Sequence, residues 1–475
     1  MNLVSDPWIP VVMLDKTPRL VSLNEVFRDG ETIADLAANP CQRIALMRLL
    51  ICIAQAALDG PKDEEAWLAC RSRLADAALA YLDTWQHRFN LFGEHAFLQV
   101  DGLDAETNAL ADKIDLTLAC GNNPTLFDHG ATPDGRVPED ARLALNLLVY
   151  QMFSPGGLIG TTQWDQMTTE KTSEHSPCLE GSMLHTLLRG KSLAETIRLN
   201  LLTQEQIRQL SNMTWGCPYW ETPTLSREAL SDFASTYLGR LLPLPRAIHC
   251  VETSRTVVLA AGILYPKLPE QREPTGTVIE AGTGAKRHFS YLSVTPSKHP
   301  WRELSSILAL QNADRSGGAT CLAHLRHVRA FSFGIWTGGL SADKAKLVDM
   351  AEWVLTLPVC LLDTLLLSRY QGGVESANRA KFVLHEAVKK YSELQKSNPV
   401  WQAKAEQFFW STLDAQSQTL TACAIQDDAA LAEKWLPIIR IALHTAYERT
   451  CPHETPRQIQ AYAQGLKILD SWKEK

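Results

Sequence analysis

The residues in this sequence that could do chemistry form short clusters, and each cluster lacks a partner that its motif requires. Gly190-Lys191-Ser192 matches the end of a phosphate-binding loop, but position 185 is His where that motif needs Gly. His249-Cys250 and the pair His324 and His327 have metal-like spacing without further carboxylate or thiolate ligands nearby. We therefore predict no catalytic residues, no bound metal and no cofactor.

The stretch 333–346 has features that could bind an anion. Gly338-Gly339 permits backbone angles that side chains forbid, and Ser341 is a plausible N-cap for a helix beginning there. Lys344 and Lys346 would then lie in the first turn, where a cation opposes the helix dipole by about 0.3–1 kcal/mol. The two lysines are either solvated and slightly unfavourable, or held by an anion such as a phosphate backbone.

The charge distribution is compatible with a local surface for nucleic acid. The chain has 475 residues and a formal net charge of −7, and residues 1–140 contain 11 Lys or Arg against 22 Asp or Glu. Residues 240–345 reverse this balance, with 13 Lys or Arg, 7 Asp or Glu and five histidines. An acidic protein with one basic section can bind nucleic acid at that section, although a mixed surface would have the same composition.

Length and composition predict a cytoplasmic globular protein of two to four domains. Its 45% apolar and 21% charged content is typical of soluble globular chains. No signal peptide is visible, and the longest apolar stretch, 44–58, contains Arg48 and Gln55, so it predicts a buried helix and no membrane association. Eleven cysteines without a CxxC pair predict reduced thiols.

Two regions with different hydrophobic patterns supply the elements that position these residues. Residues 1–335 mix short apolar runs, including antiparallel strands expected over 247–294, with helical patterns. From 341 to 475 the apolar residues recur at helical spacing, which predicts an up-down bundle with a break at Gly372-Gly373. The predicted fold class is therefore α+β: a mixed α/β N-terminal body, 1–335, and a C-terminal four-helix-type bundle, 341–475.

Two breaker-rich loops interrupt the N-terminal body. The string 154–160, Ser-Pro-Gly-Gly-Leu-Ile-Gly, follows a predicted helix over 141–153 and can bring a backbone close to another surface. The loop 121–130 carries the apolar pair Leu126-Phe127 at its tip. That pair is either a plug in the core or a contact with a partner.

The opening Asp6-Pro7-Trp8-Ile9-Pro10-Val11 resembles that of the CasA family, the large subunit of the type I-E CRISPR Cascade complex. Weaker landmarks follow in the family's order over essentially the whole chain. They are Phe92 with Phe97-Leu98-Gln99, the loop 123–130, Ser154-Pro155-Gly156-Gly157, the block 188–203 and Gly338-Gly339.

The resemblance implies a non-enzymatic DNA-sensing subunit. In such complexes guide pairing reads the target, and protein reads a short adjacent motif, the PAM. The implied partners are other Cascade subunits, CRISPR guide RNA, double-stranded target DNA and a helicase–nuclease effector. Three family elements have positional counterparts here. They are a glycine loop at Gly156, Gly157 and Gly160, a basic finger at Arg255, and a strand-separating wedge at Asp343 and Lys344.

The family's docking loop corresponds to the loop 123–130. We therefore expect Leu126, Phe127 and Asp128 to attach the subunit to the assembly, near the 5′ end of the guide. Some relatives carry a cysteine cluster in the middle region, where this chain has only Cys250, so no zinc is expected.

The chain departs from the family in the DNA-sensing elements themselves. Leu158-Ile159 replaces glycines, Arg255 replaces a lysine and can fork to two acceptors, and Asp343-Lys344 replaces amides. The PAM sequence is therefore not predicted. Two other functions stay open: a cytoplasmic hydrolase or transferase that uses the Asp/His-rich middle section, and a purely structural scaffold subunit.

Overall fold

The computed structural model describes residues 1–103, 109–117, 139–164, 167–169, 171–210, 213–222, 227–309, 316–327, 330–396 and 401–472. The chain divides into two compact units. The first comprises Met1–Pro296 and Leu310–Thr356, and the second comprises Ser297–Ala309 and Leu357–Lys475. The α+β class is confirmed, because strands and helices mix in the first unit and a helical region ends the chain.

The strands of the described residues, with one exception that continues to Pro358, lie within the first unit. They are β1 (Ile9–Met13), β2 (Pro18–Val21), β3 (Ile33–Leu36), β4 (Ala109–Leu110), β5 (Gln163–Trp164), β6 (Met167–Thr168), β7 (His185–Arg189), β8 (Arg246–Val251), β9 (Thr256–Ala261), β10 (Val278–Ala281), β11 (His288–Tyr291), β12 (Ser332–Asp343) and β13 (Lys346–Pro358). Three sheets have the orders β2-β1-β3, β4-β9-β8 and β13-β12-β7, and β5-β6 and β10-β11 are two-stranded. The strands predicted within 247–294 are thus confirmed.

The helices of the described residues follow the same chain order. They are α1 (Leu23–Asp29), α2 (Pro40–Ala57), α3 (Glu64–Ala69), α4 (Leu74–Trp85), α5 (Asp140–Phe153), α6 (Leu193–Leu199), α7 (Gln204–Leu210), α8 (Arg227–Phe233), α9 (Tyr237–Leu241), α10 (Leu304–Leu308), α11 (Thr364–Gln395), α12 (Trp401–Asp414), α13 (Ser417–Gln426), α14 (Asp428–Ala430), α15 (Leu436–Thr450) and α16 (Pro456–Asp470).

The core of the first unit is built on α2, the buried helix that the sequence predicts. Asn39 and Gln42 form a reciprocal capping box at its N-terminus, with Pro40 at the first helical position. Its side chains are buried almost all around, and α2 packs against α4, α5 and β12. A helix that is apolar on every face needs neighbours on every side, and α2 therefore holds the elements that carry the candidate site.

The predicted helix beginning at Ser341 is wrong, because residues 332–358 form a long β-hairpin of β12 and β13. Gly338-Gly339 is not a turn but the interior of β12. A Cβ atom at Gly338 would lie 2.8 Å from the carbonyl oxygen of Ala351, and one at Gly339 would lie 2.6 Å from that of Met183. The two glycines are therefore required by close approach of neighbouring backbones. The domain boundaries 1–335 and 341–475 stay a prediction.

The helical region of the second unit has α11 at its centre, packed against α12, α13, α15 and α16. The predicted break at Gly372-Gly373 is wrong, because α11 continues through both glycines. A Cβ atom on Gly373 would lie 2.3 Å from Leu420 Cδ1, so the missing side chain lets two helices approach closely. The helical apolar spacing places Ala405, Phe409 and Leu413 in the core, as predicted.

Candidate nucleic-acid interface

The glycine loop forms one arm of an irregular ribbon that leaves the C-terminal end of α5. Its amides pair with the returning arm: Gly157 N–H donates to Ser173 O at 3.3 Å, and Ile159 N–H to Thr172 O at 2.9 Å. A Cβ atom on Gly156 would lie 2.8 Å from Ser173 O. Gly157 has φ of 145°, a conformation that residues with side chains rarely adopt.

Two further residues of this loop, Leu158 and Gly160, are exposed. A Cβ atom on Gly160 would meet no atom within 4 Å, so available space does not explain that glycine. Leu158 has 75% of its surface exposed. The loop thus presents an open backbone segment and one apolar side chain to solvent.

The second element is the tip of the β12–β13 hairpin, where Lys344 and Ala345 form a two-residue turn. Asp343, Lys344 and Lys346 are exposed, so the tip carries two cations and one anion. Lys344 has φ of 56°, which costs a residue with a side chain roughly 1–2 kcal/mol relative to the right-handed region. The helix-dipole argument for Lys344 is wrong, since no helix begins here; what the structure shows is an exposed cation at a hairpin tip.

The hairpin is anchored just below its tip. Ser182 Oγ accepts a hydrogen bond from Ala342 N at 3.0 Å and lies 3.3 Å from Ala342 O, to which it can donate. Across the hairpin, Trp336 Nε1 donates to Glu352 Oε2 at 2.7 Å. The part that extends beyond these anchors is therefore short, and its position is set by the sheet.

The structure brings the glycine loop and the hairpin tip together. A Cβ atom on Gly157 would lie 3.9 Å from Ala345 Cβ, which is ordinary van der Waals contact. Residues about 190 positions apart in sequence thus form one continuous edge, with Lys344 next to the contact.

Arg255 lies elsewhere. It occupies the turn between β8 and β9, where its Nη1 donates to Asp140 Oδ1 at 2.5 Å and its guanidinium lies 5.3 Å from the Phe92 ring centroid. Asp140 begins α5, whereas the glycine loop follows Phe153 at the other end. Since α5 rises 1.5 Å per residue, about 20 Å separate these two ends. The structure therefore does not bring Arg255 to the edge formed by the loop and the tip.

Three of the thirteen cations of residues 240–345 do not reach the surface. Arg240, Arg246 and Arg272 are each at most 1% exposed. Burial of these arginines is a structural use of charge that the composition cannot distinguish from a binding patch. The net excess of cations in this section therefore overstates the positive charge that its surface carries.

A second hairpin turn carries two exposed cations that were not among the predicted site residues. Lys286 and Arg287 belong to the turn between β10 and β11, and both are exposed. Arg287 Nη1 lies 3.4 Å from Glu280 Oε1. Two glycines followed by two cations, Gly282-Thr283-Gly284-Ala285-Lys286-Arg287, are a turn signal that could have identified them.

His324, one of the histidines with metal-like spacing, is a packing residue. His324 Nε2 lies 2.7 Å from Leu201 O, and its ring stacks on Trp67 with centroids 4.0 Å apart. Burial lowers the pKa of His324 to about 4, so the ring is neutral at neutral pH. His327 pairs with Glu64. In the part of the chain that the structure describes, no three His, Cys, Asp or Glu residues are arranged to hold a metal ion.

The predicted docking residues Leu126, Phe127 and Asp128 lie outside the described residues. Among the helices that are described, none combines the length and apolar character needed to cross a bilayer.

Comparisons with known proteins place this geometry in a family. A family model described as CRISPR-associated protein Cse1 matches residues 2–446. The CRISPR-associated protein CasA/Cse1 of Thermus thermophilus is 26% identical over 514 aligned residues, which cover 98% of this chain and 95% of that protein.

Solved structures have the same fold. A crystal structure of Thermus thermophilus CasA superposes with a TM-score of 0.79 at 23% identity, over 99% of each chain. A chain of a CRISPR RNA-guided surveillance complex superposes with a TM-score of 0.79 at 16% identity, again over 99% of each chain. With the family model matching nearly the whole sequence, the chain belongs to the CRISPR-associated Cse1 family.

Proposed function

We propose that this chain is the large subunit of an RNA-guided CRISPR surveillance complex, where it senses the short motif beside the target in duplex DNA. The observation that carries the proposal is the contact between the glycine loop and the hairpin tip, with Gly157 against Ala345 and Lys344 exposed beside them. In such complexes guide pairing reads the target sequence, so protein is needed only to read the flanking duplex and to start strand separation.

Each part of the edge has a physical task in this proposal. The exposed backbone of Gly157 and Gly160 admits close approach to a groove, where side chains would collide first. Lys344 supplies a charge for phosphate and, at the tip of an anchored hairpin, a wedge next to the first base pair. Asp343 disfavours phosphate at the same tip, which directs the duplex toward Lys344.

Arg255 has a conditional role in this proposal. Its guanidinium must leave Asp140 before it can hold a groove edge, so part of any gain is offset by the lost ion pair. Lys286 is a second candidate for the same finger role, because it is exposed in a hairpin turn. Removing whichever cation contacts a base edge should reduce discrimination by about 1–3 kcal/mol.

Assembly and recruitment complete the proposal. Leu126, Phe127 and Asp128 attach the subunit to the other Cascade subunits near the 5′ end of the guide RNA, and the bound subunit helps recruit a helicase–nuclease. Replacing Leu126 and Phe127 by Ser should release the subunit from the purified complex while its circular dichroism is unchanged. Co-purification at the wild-type ratio would contradict the docking assignment.

We also propose that this subunit is not an enzyme. Nothing in the arrangement of the described residues favours the alternative hydrolase or transferase. That alternative relied on the Asp/His-rich middle section, in which His324 is buried against Trp67 and His327 is paired with Glu64. Burial against Trp67 removes His324 as a candidate general base.

The test compares the complex assembled with and without this subunit on matched target duplexes. One duplex carries the correct flanking motif and the other a scrambled one, and binding is measured at two salt concentrations. We expect the preference for the correct flank to require the subunit. Equal preference without it would contradict DNA sensing and leave a scaffold role.

A matched pair of variants separates charge from turn geometry. Lys344→Asn removes the cation while keeping a residue that tolerates positive φ, and it should lower the salt slope by about one if Lys344 contacts phosphate. Lys16→Asn is the control, because Lys16 is also exposed, has φ of 71° and lies in the turn between β1 and β2. A change of equal size in both variants would show a general charge effect.

A further inference from the structure

Arg246 connects the sheet to the base of the glycine loop. It is the first residue of β8 and only 1% exposed, and its Nη2 donates to Pro155 O at 3.1 Å and to Glu174 O at 2.6 Å. Its Nη1 donates to Pro245 O at 3.1 Å. One buried guanidinium group is thus shared between β8 and the loop.

The two carbonyl groups that accept from Nη2 belong to opposite arms of the ribbon. Pro155 precedes Gly156 on the outgoing arm, and Glu174 follows Ser173 on the returning arm. A single nitrogen therefore closes the ribbon at its base, two residues before the Gly157–Ser173 hydrogen bond. The other links between the arms at this level are main-chain hydrogen bonds and the Ser154–Ser176 side-chain pair.

The arginine itself is held in place by the helix that precedes the loop. Gln151, a fully buried residue of α5, donates from Nε2 to Arg246 O at 2.9 Å and accepts from Arg246 N at 3.3 Å. The backbone of Arg246 is therefore fixed to the last turn of α5, and its side chain fixes the loop that follows that turn. Burying a guanidinium group against neutral carbonyl groups costs desolvation free energy, which an apolar residue at position 246 would not require.

We propose that Arg246 is a positioning residue for DNA sensing, which holds the base of the glycine loop so that Gly157 stays against the hairpin tip. The inference rests on the proposed function for its consequence in DNA binding, but the loop-holding step can be measured without DNA. A lysine cannot replace this arginine, because an ammonium group has no planar fork of donors that can serve Pro245, Pro155 and Glu174 together.

The experiment compares Arg246→Lys with Arg272→Lys. Arg272 is a matched control: it is fully buried, and its Nη2 donates to Gly276 O at 2.9 Å and Gly317 O at 2.8 Å, away from the glycine loop. Hydrogen exchange is followed by mass spectrometry in peptides covering 154–160 and 171–176. We expect about tenfold faster exchange in these peptides for Arg246→Lys only, which corresponds to about 1.4 kcal/mol of lost protection.

The DNA readout uses the assembled complex and the flanking-motif duplexes described above. We expect Arg246→Lys to reduce the preference for the correct flank by about tenfold, with Arg272→Lys close to wild type at a similar melting temperature. Unchanged exchange in 154–160 would overturn the inference. The inference would also be overturned if Arg246→Lys speeds exchange in 154–160 but keeps the wild-type preference for the correct flank, provided that Gly157→Val loses that preference.

One further outcome separates this inference from the proposed function. If Gly157→Val and Arg246→Lys both keep the wild-type preference, the glycine loop does not sense DNA and the proposed function fails at this loop. The sensing part of the inference fails with it. Exchange in 154–160 then decides alone whether Arg246 holds the loop.

Discussion

Replacing Glu273 by Gln should destabilise the first unit severely, because Glu273 is the only carboxylate in a fully buried cluster with Arg48 and Arg240, among the described residues. Glu273 Oε2 accepts from Arg48 Nη1 at 2.8 Å, and Oε1 accepts from Arg240 Nε at 2.5 Å. None of these three side chains is more than 2% exposed. The two arginines also donate to the main-chain carbonyls of residues 240, 241 and 266.

The magnitude follows from the loss of the shared counter-charge. A glutamine oxygen can accept from one arginine, while its amide N–H groups face the other, so two buried cations lose their only carboxylate partner. Breaking a buried ion pair by removing one partner costs about 3–5 kcal/mol. Burial raises the pKa of Glu273, but the two adjacent guanidinium groups outweigh this and lower it from 4.5 to about 2.

The pKa shift of Glu273 also gives the sign of its contribution to the pH dependence of the free energy of unfolding. A carboxyl group whose pKa is lower in the folded state adds stability above pH 4.5 and loses it as the pH falls from about 4.5 to about 2. A shift of this size corresponds to a contribution on the order of 3 kcal/mol. Stability of Glu273→Gln should therefore depend less on pH over that window than wild type.

The assay is equilibrium urea unfolding followed by tryptophan fluorescence at pH 7 and at pH 3.5. Glu252→Gln is the control, since Glu252 is exposed in the turn between β8 and β9 and should change the free energy of unfolding by less than about 0.5 kcal/mol. A triple substitution of Arg48, Glu273 and Arg240 by Met should recover much of the loss. A Glu273→Gln protein as stable as wild type would refute the account of this cluster.

Three further predictions concern stability. Burial lowers the pKa of His185 and of His324 from 6.5 to about 4, so the unfolded chain is protonated at a higher pH than the folded one. The contribution of each histidine to the free energy of unfolding should therefore fall by about 3 kcal/mol as pH falls from about 6.5 to about 4. His185→Gln should flatten that pH dependence in thermal melts, and an unchanged curve would count against it. Trp67→Ala should cost about 3–5 kcal/mol in urea unfolding, since a buried ring and its stacking on His324 are lost, and a cost below about 1 kcal/mol would contradict the packing. Ser22→Ala should cost about 1 kcal/mol by removing the N-cap of α1, and Ser22→Gly should restore most of it if capping is the cause.

Local signals made part of the fold predictable from sequence. The apolar stretch 44–58 predicted a buried helix, and α2 (Pro40–Ala57) is that helix. The strands over 247–294 and the apolar helical spacing near the C-terminus were likewise readable, because neighbours in sequence decide those patterns.

The errors arose where distant residues decide the structure. Gly338-Gly339 is in a strand because Met183 and Ala351 approach its backbone, and neither partner is visible in the local sequence. Exposed and less exposed residues alternate along β13 from Glu352 to Leu357, but exposed Val354 is as apolar as its neighbours, so the sequence does not show this alternation.

The candidate site shows the same division. Composition favoured a basic surface at 240–345, but the fold buries Arg246 under the glycine loop and pairs Arg255 with Asp140, 115 positions away in the chain. The approach of Gly157 to Ala345 depends on sheet order and on α5, so spacing alone could not predict it.

The most direct test of the DNA-sensing proposal measures strand opening at the first base pair beside the flanking motif. A 2-aminopurine base placed there brightens when it unstacks, and the assembled complex is compared with wild-type subunit, Lys344→Asn and Lys16→Asn. We expect rapid brightening with wild type and Lys16→Asn, only on duplexes with the correct flank, and clearly slower brightening with Lys344→Asn. Equal opening rates in all three complexes would contradict a role for the hairpin tip in starting strand separation.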